Sequence, residues 1–156
     1  MNEASSTARI EPATIEDLPQ LIELLRELFE TEADFQPDRV AQERGLRLIL
    51  ENPSRGRIFV LRSAHRILGM ANLLFTISTA LGGHAVLMED VIILPEYRGQ
   101  GYGTHLLNHV ITFAKRKDFV RITLLTDRIS TESQKFFQRA GFVHSEMIPM
   151  RLLLKD

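Results

Sequence analysis

From Ile67 to Met88, 22 residues pass without Asp, Glu, Lys or Arg. An uncharged run of that length either spans a bilayer as a helix or lies inside a protein core. The side chains select the core. Asn72, Thr76, Ser78, Thr79 and His84 interrupt the apolar residues, and Gly82-Gly83 punctuates them. Ala71, Leu73, Phe75 and Ile77 alternate with partners that include Asn72 and Thr76, the period of two that belongs to a strand. Two adjacent strands, over Arg66–Thr79 and His84–Leu94, are therefore expected, joined by a turn at Leu81–Gly83.

The flanking segments supply helices and further strands. Arg9-Ile10-Glu11 reads as a short strand, and Thr14 before Ile15-Glu16-Asp17 resembles a capping box. Leu18, Leu21, Ile22, Leu25 and Phe29 follow at helical spacing, so a helix is expected over residues 15–31. A second begins near Pro37-Asp38 and stops at Asn52-Pro53. Arg57–Arg62 and Val120–Thr126 read as strands, Gly101–Lys117 and Ser130–Ala140 as helices, and Phe142 onward as one or two final strands. The fold class is α/β (α+β). Residues 1–156 are expected to form one domain, with the polar residues 1–8 flexible and no signal peptide.

Charge and composition remove several function classes. Nineteen Lys and Arg balance 20 Asp and Glu, so no global field draws the chain to nucleic acid or an anionic membrane. The basic run Lys115-Arg116-Lys117 closes a helix, where its dipole favours cations. There is no cysteine, hence no disulfide, thiolate metal site or cysteine nucleophile. His105 and His109 have the i, i+4 spacing of a zinc helix, but Leu106-Leu107-Asn108 between them holds no Glu and no third ligand is evident, so no metal is expected. No G-x-S-x-G nucleophile elbow occurs.

The segment between the strand ending at Leu94 and the helix from Gly101 carries the chemistry. Gly99, Gly101 and Gly103 let backbone N–H groups converge, the helix start adds unpaired N–H groups and a positive dipole end, and Arg98 adds a cation. These residues suit a seat for pyrophosphate, while the glycines by themselves fit a plain loop equally. It is neither a P-loop, since no Lys follows the glycines, nor the dinucleotide fingerprint, since the spacing is G-x-G-x-G.

Arg98-Gly99-Gln100-Gly101-Tyr102-Gly103 matches the [QR]-x-x-G-x-[GA] signature of the GNAT superfamily of acyl-CoA-dependent N-acyltransferases, which the chain resembles. The resemblance extends over Gly69–Phe142. Glu89–Tyr97 resembles the strand entering that loop, and Ser130–Phe142 resembles the later N-x-x-A-x-x-F-Y-x-x-x-G-F segment. The Glu89-Asp90 pair is similar to that of the diamine acetyltransferases.

The resemblance implies a central mixed, mostly antiparallel sheet of six to seven strands flanked by about four helices. It implies acetyl-CoA as acyl donor, lying along Val91, Ile92 and Ile93, with its pyrophosphate on Arg98, Gly99, Gln100, Gly101, Tyr102, Gly103 and Thr104. The N–H near Ile92 would polarise the thioester carbonyl. An alkyl amine with a pKa near 10.4 is neutral in only about one molecule in 2,500 at pH 7, so a base is needed. Glu89 is the candidate; strand alternation turns Asp90 to the other face. Phe137 stands where the family often has a Tyr that protonates the departing thiolate, Ser130 where it has Asn, and Ser133 where it has Ala; each is a candidate CoA contact. Tyr97 and Tyr102 belong to the phosphate loop. Phe29, Glu30, Glu32 and Asp34, in a connection that borders the acceptor site in this fold, suit a cationic, partly apolar amine.

The implied protein is a cytoplasmic, homodimeric N-acetyltransferase acting on a small-molecule amine, with neither nucleic acid nor membrane as partner. The competing class is a catalytically weak acyl-CoA-binding sensor or partner module, favoured by the missing hydroxyl at Phe137.

Overall fold

The computed structural model describes residues 8–31 and 37–155. The uncharged run forms the centre of the sheet. β3 (Arg66–Ser78) and β4 (Gly83–Ile93) pair antiparallel from Gly69↔Ile93 to Ser78↔Gly83. β2 (Gly56–Ser63) lies antiparallel on the other side of β3, and β1 (Arg9–Pro12) on β2. β5 (Ile122–Leu124) runs parallel to β4 and completes the order β1-β2-β3-β4-β5.

The period of two sends alternate residues into two layers. Ile58, Val60, Ile67, Met70 and Ile92 face α1 (Leu18–Thr31) and α2 (Arg39–Leu50), which bury Leu21, Leu24, Leu25 and Leu46 against them. Phe59, Ala71, Leu73, Val86 and Met88 face α3 (Tyr102–Arg116), which contributes Leu106, Leu107 and Val110. α4 (Thr131–Arg139) packs Phe136 and Phe137 at the edge of this second layer. Buried side chains of this kind each stabilise the fold by about 1.5–3 kcal/mol.

Helix starts follow local chemistry. A 3-10 turn, Ile15–Asp17, precedes α1, and Asp17 accepts the Thr14 N–H at 2.9 Å. Asp17 is also gripped by Arg62, whose Nη1 and Nη2 donate at 3.0 and 2.9 Å while its Nε donates to Glu11 at 2.7 Å. Burial alone would raise the Asp17 pKa; Arg62 and the Thr14 N–H outweigh it and hold the carboxyl below its ordinary value. Asp38 caps α2 by accepting the Ala41 N–H at 3.2 Å.

Three expectations are corrected. Six to seven strands are implied by the resemblance, whereas the described residues hold five. Phe142 onward makes no strand: Pro149 has no N–H for a ladder, and Val143, Met147, Ile148, Met150 and Leu152 to Leu154 stand in solvent. The strand expected over Val120–Thr126 pairs only at Ile122–Leu124, opposite Val86–Met88. Just beyond Met88 an extra residue in β4 breaks the ladder. The expected flexibility of residues 1–8 falls on residues of which only Ala8 is described.

Candidate active site

The extra residue is a β-bulge. Met70 pairs with Ile92 and Asn72 with Glu89, so Ala71 alone opposes Asp90 and Val91. Asp90 sits at φ +52, in the left-handed region that costs most residues energy and that Asp tolerates better than most. The bulge resets the alternation of β4. Asp90 therefore does not turn to the far face; it lines the same cavity as Glu89, which corrects the strand-alternation expectation.

That cavity, about 390 Å³, lies between β3, β4, α1 and α2. Leu25, Phe29, Leu46 and Ile49 give it apolar walls, and Asn72, Gln42, Asp38, Glu89 and Asp90 give it polar ones. Asn72 donates from Nδ2 to Asp90 Oδ2 at 2.9 Å. Burial pushes the Glu89 pKa up and the charge of Asp90 adds to it, with Arg151 opposing. Burial pushes Asp90 up as well, against the hydrogen bond from Asn72. A carboxylate raised in this way accepts a proton at a pH nearer neutrality, which is what a general base requires.

β4 outruns its neighbour. β5 ends at Leu124 opposite Met88, while β4 continues to Ile93. The Leu94 N–H donates to Leu68 O at 2.8 Å, toward β3. Successive amides of a strand point to opposite edges, so that of Ile92 also turns to β3, and those of Val91 and Ile93 face the open side. There Ile93 O accepts Arg98 Nε at 2.8 Å. The amides at this open edge are thus those of Val91 and Ile93, on either side of Ile92. The open edge matches an extended ligand with amide groups, which adds to a sheet as a strand does.

The glycine loop continues from this edge through a 3-10 turn, Pro95–Tyr97. Gly99 and Gly101 have φ +77 and +85, and a Cβ on either would meet nothing within 4 Å, so conformation rather than crowding requires glycine. Gly101 begins α3 with no side-chain cap. The first N–H groups of this helix, at Tyr102, Gly103 and Thr104, thus face a clear approach beside the exposed Arg98, and this donor set fits a pyrophosphate. Gly103 answers to crowding instead: a Cβ there would lie 3.2 Å from Phe136.

The remaining expected residues are scattered around this core. Gln100 Nε2 reaches Glu96 O at 3.5 Å. Tyr102 is buried with Leu61 and Leu68, its hydroxyl without a protein partner, while Tyr97 lies edge-on to it at 6.5 Å. Ser130 caps α4, accepting the Ser133 N–H at 3.3 Å and donating to Ser133 Oγ at 2.9 Å, so the two hydroxyls engage each other. Phe137 packs against Phe136 and Phe142, at 5.1 and 5.9 Å between ring centroids. Phe29 lines the cavity; Glu30 is exposed and does not. Glu32 and Asp34 lie outside the described residues. His109 packs edge-on against Phe59 at 5.0 Å, and no group able to hold a metal ion occurs among the described residues.

Asn72, Gln42 and Asp38 are cavity residues that the motifs do not reveal. Two left a signal. Asn72 is a polar residue within the apolar run, and Gln42 lies one turn before Leu46 on the buried stripe of α2. A polar side chain on an inward position is costly unless paired, by about 1–3 kcal/mol, which singles out both.

The Acetyltransferase (GNAT) family model matches residues 18–142. The chain belongs to this family of acetyltransferases. A curated relative, the glucosamine 6-phosphate N-acetyltransferase of Trypanosoma brucei brucei, is 31% identical over 87 residues, covering 55% of this chain and 57% of that protein. The chain thus spans little more than half the length of that relative. A possible acetyltransferase from Clostridium difficile 630 superimposes with a TM-score of 0.86 at 14% identity, over 96% of this chain and 99% of that one. An aminoglycoside acetyltransferase from an uncultured soil metagenomic sample, solved with sisomicin, gives 0.79 at 21% identity, over 98% and 100%. These two structures share the fold. No helix among the described residues is long and apolar enough to cross a membrane.

Proposed function

We propose that the chain is an N-acetyltransferase that moves an acetyl group from acetyl-CoA to the amine of a small molecule. The observation that carries this reading is the meeting of three features on β4 and its exit: the carboxyl pair Glu89-Asp90 in a cavity, an unpaired edge at Val91 and Ile93, and the glycine loop before α3. Acetyl-CoA, when bound, supplies the acetyl group as a reactive thioester. Arg98 and the N–H groups from Gly99 to Thr104 hold its pyrophosphate, and the edge of Val91 and Ile93 orients its extended arm. The N–H of Val91 or Ile93 polarises the carbonyl. Glu89 takes the proton from the incoming amine, which attacks directly in a ternary complex with no acyl group on the protein. Phe137 offers no hydroxyl, so the departing thiolate takes its proton from water.

Residues 1–156 act as one domain in this reading, and the enzyme is a homodimer. The exposed apolar side chains of the C-terminal segment, Met150 at 95% exposure among them, support an interface between copies. A second reading, an acyl-CoA-binding module without turnover, is favoured by the phenyl ring at Phe137. Release of CoA thiol from acetyl-CoA across diamines, amino acids, aminoglycosides and peptides, against a blank without amine, separates the two. Amine-dependent release establishes the transferase; release no faster than the blank, with acetyl-CoA bound, favours the module or an acceptor outside the panel.

A further inference from the structure

Two residues that line the cavity beside Glu89 carry buried polar atoms with opposite needs. Gln42 is 7% exposed and its Nε2, a donor, is buried without a hydrogen-bond partner. Asn72 is 4% exposed, and with Nδ2 committed to Asp90, its Oδ1, an acceptor, is buried without one. Both residues line the cavity, Asn72 from β3 beside the carboxyl pair and Gln42 from α2 across from it. A bound molecule that satisfies both offers an N–H to the β-sheet side and an oxygen to the helix side. The terminal torsion of a Gln amide is soft, so its N–H groups can turn to such an oxygen.

Charge narrows the class further. The lining residues include three carboxyl groups, Asp38, Glu89 and Asp90, and no Lys or Arg. Arg151 acts on Glu89 from the exposed C-terminal segment rather than from the cavity wall. A phosphate or carboxylate on the acceptor would meet like charge with no cation in the wall to hold it. A hydroxyl or ether oxygen accepts from Gln42 without that repulsion.

Building on the transferase reading, we infer that Gln42 reads the acceptor: its side-chain amide binds a hydroxyl or ether oxygen on an amine that carries no anionic group. The acceptor is thus an amino alcohol, amino sugar or hydroxylated polyamine. The phosphorylated sugar named for the Trypanosoma relative falls outside that class.

The test compares matched amines on the wild type and on Gln42→Leu, which keeps a side chain of similar length and removes an unpaired donor. The pairs are hydroxyputrescine with putrescine, glucosamine with glucosamine 6-phosphate, and aminobutanol with gamma-aminobutyrate. In the wild type, kcat/KM for hydroxyputrescine is expected to exceed that for putrescine by about tenfold or more, mostly through KM, as a buried group left unpaired by the wrong ligand requires. Each anionic partner is expected to be the poorer substrate. In Gln42→Leu the preference for hydroxyl collapses toward unity, with the thermal midpoint unchanged or raised. A hydroxyl preference that survives in the variant, or a preference for the anionic amines, overturns the assignment. If no amine is acetylated, the transferase reading fails by itself. Calorimetric binding of the same pairs, in the presence of CoA, then decides the role of Gln42 by the same ratio.

Discussion

Glu89 and Asp90 differ by one position and by their tasks. Burial raises both carboxyl groups, Glu89 with help from the charge of Asp90. The Glu89 carboxylate therefore forms at a higher pH than that of an ordinary Glu, and the acidic limb of kcat/KM is expected to move up with it. Glu89→Gln should lower kcat/KM by about 10²-fold or more and remove that limb, read from rates between about pH 5 and 9. Asp90 holds its proton more tightly folded than unfolded. Its stabilising effect is present below the unfolded pKa and is lost as pH rises through the folded one. Asp90→Asn, which also suits the left-handed backbone, should thus raise the thermal midpoint at neutral pH, a gain that fades in acid. Phe137→Tyr should raise kcat with CoA affinity unchanged, since it restores a hydroxyl where the family often has one. The strand that carries Glu89 was legible in the sequence from its resemblance and its apolar run. The placement of Asp90 was not, because a bulge is a property of the pairing between β3 and β4 rather than of either segment alone.

The helices and the long strands were legible from periodicity because each buries one face, and the core layers repeat those patterns residue by residue. Ile58 and Val60 go one way while Phe59 goes the other. What periodicity does not carry is where a ladder stops. β5 was read too long because pairing beyond Leu124 depends on β4, whose ladder with β5 ends at Met88, just before its bulge. The early end of that ladder is also what leaves the edge at Val91 and Ile93 open. Two elements give tests. Gly101→Val forces a β-branched residue to φ +85 at the start of α3 and should abolish CoA binding measured by calorimetry. Arg62→Ala strips the partner from Asp17 and Glu11 at the join of β1, β2 and α1, and should cost about 3 kcal/mol in denaturant unfolding. Because Arg62 and the Thr14 N–H keep the Asp17 pKa low against burial, this stability is full above the unfolded pKa and is lost as pH falls through the folded one. The wild type should then lose more stability in acid than the variant does.

At the scale of the molecule, a five-stranded sheet covered on both faces leaves one segment uncovered. Leu152, Leu153 and Leu154 are all exposed at the C-terminal end. Light scattering should report a dimer, and Leu152→Ser with Leu154→Ser should shift it toward monomer without lowering the thermal midpoint of the core. The glycine signature made the proposed donor half of the site legible because many backbone donors must converge in one short segment. The proposed acceptor half is assembled from α1, α2, β3 and β4, where single polar residues on otherwise apolar stripes are the entire signal. Both halves meet at the carboxyl pair, and the central claim is that a base there deprotonates an amine facing a bound thioester. The most direct test is amine-dependent release of CoA thiol by the wild type and Glu89→Gln side by side, from pH 6 to 9, with acetyl-CoA binding measured on both. Expected are release by the wild type, a loss of about 10²-fold or more in the variant, and unchanged acetyl-CoA affinity. Equal rates and equal pH profiles in the two proteins would contradict that claim.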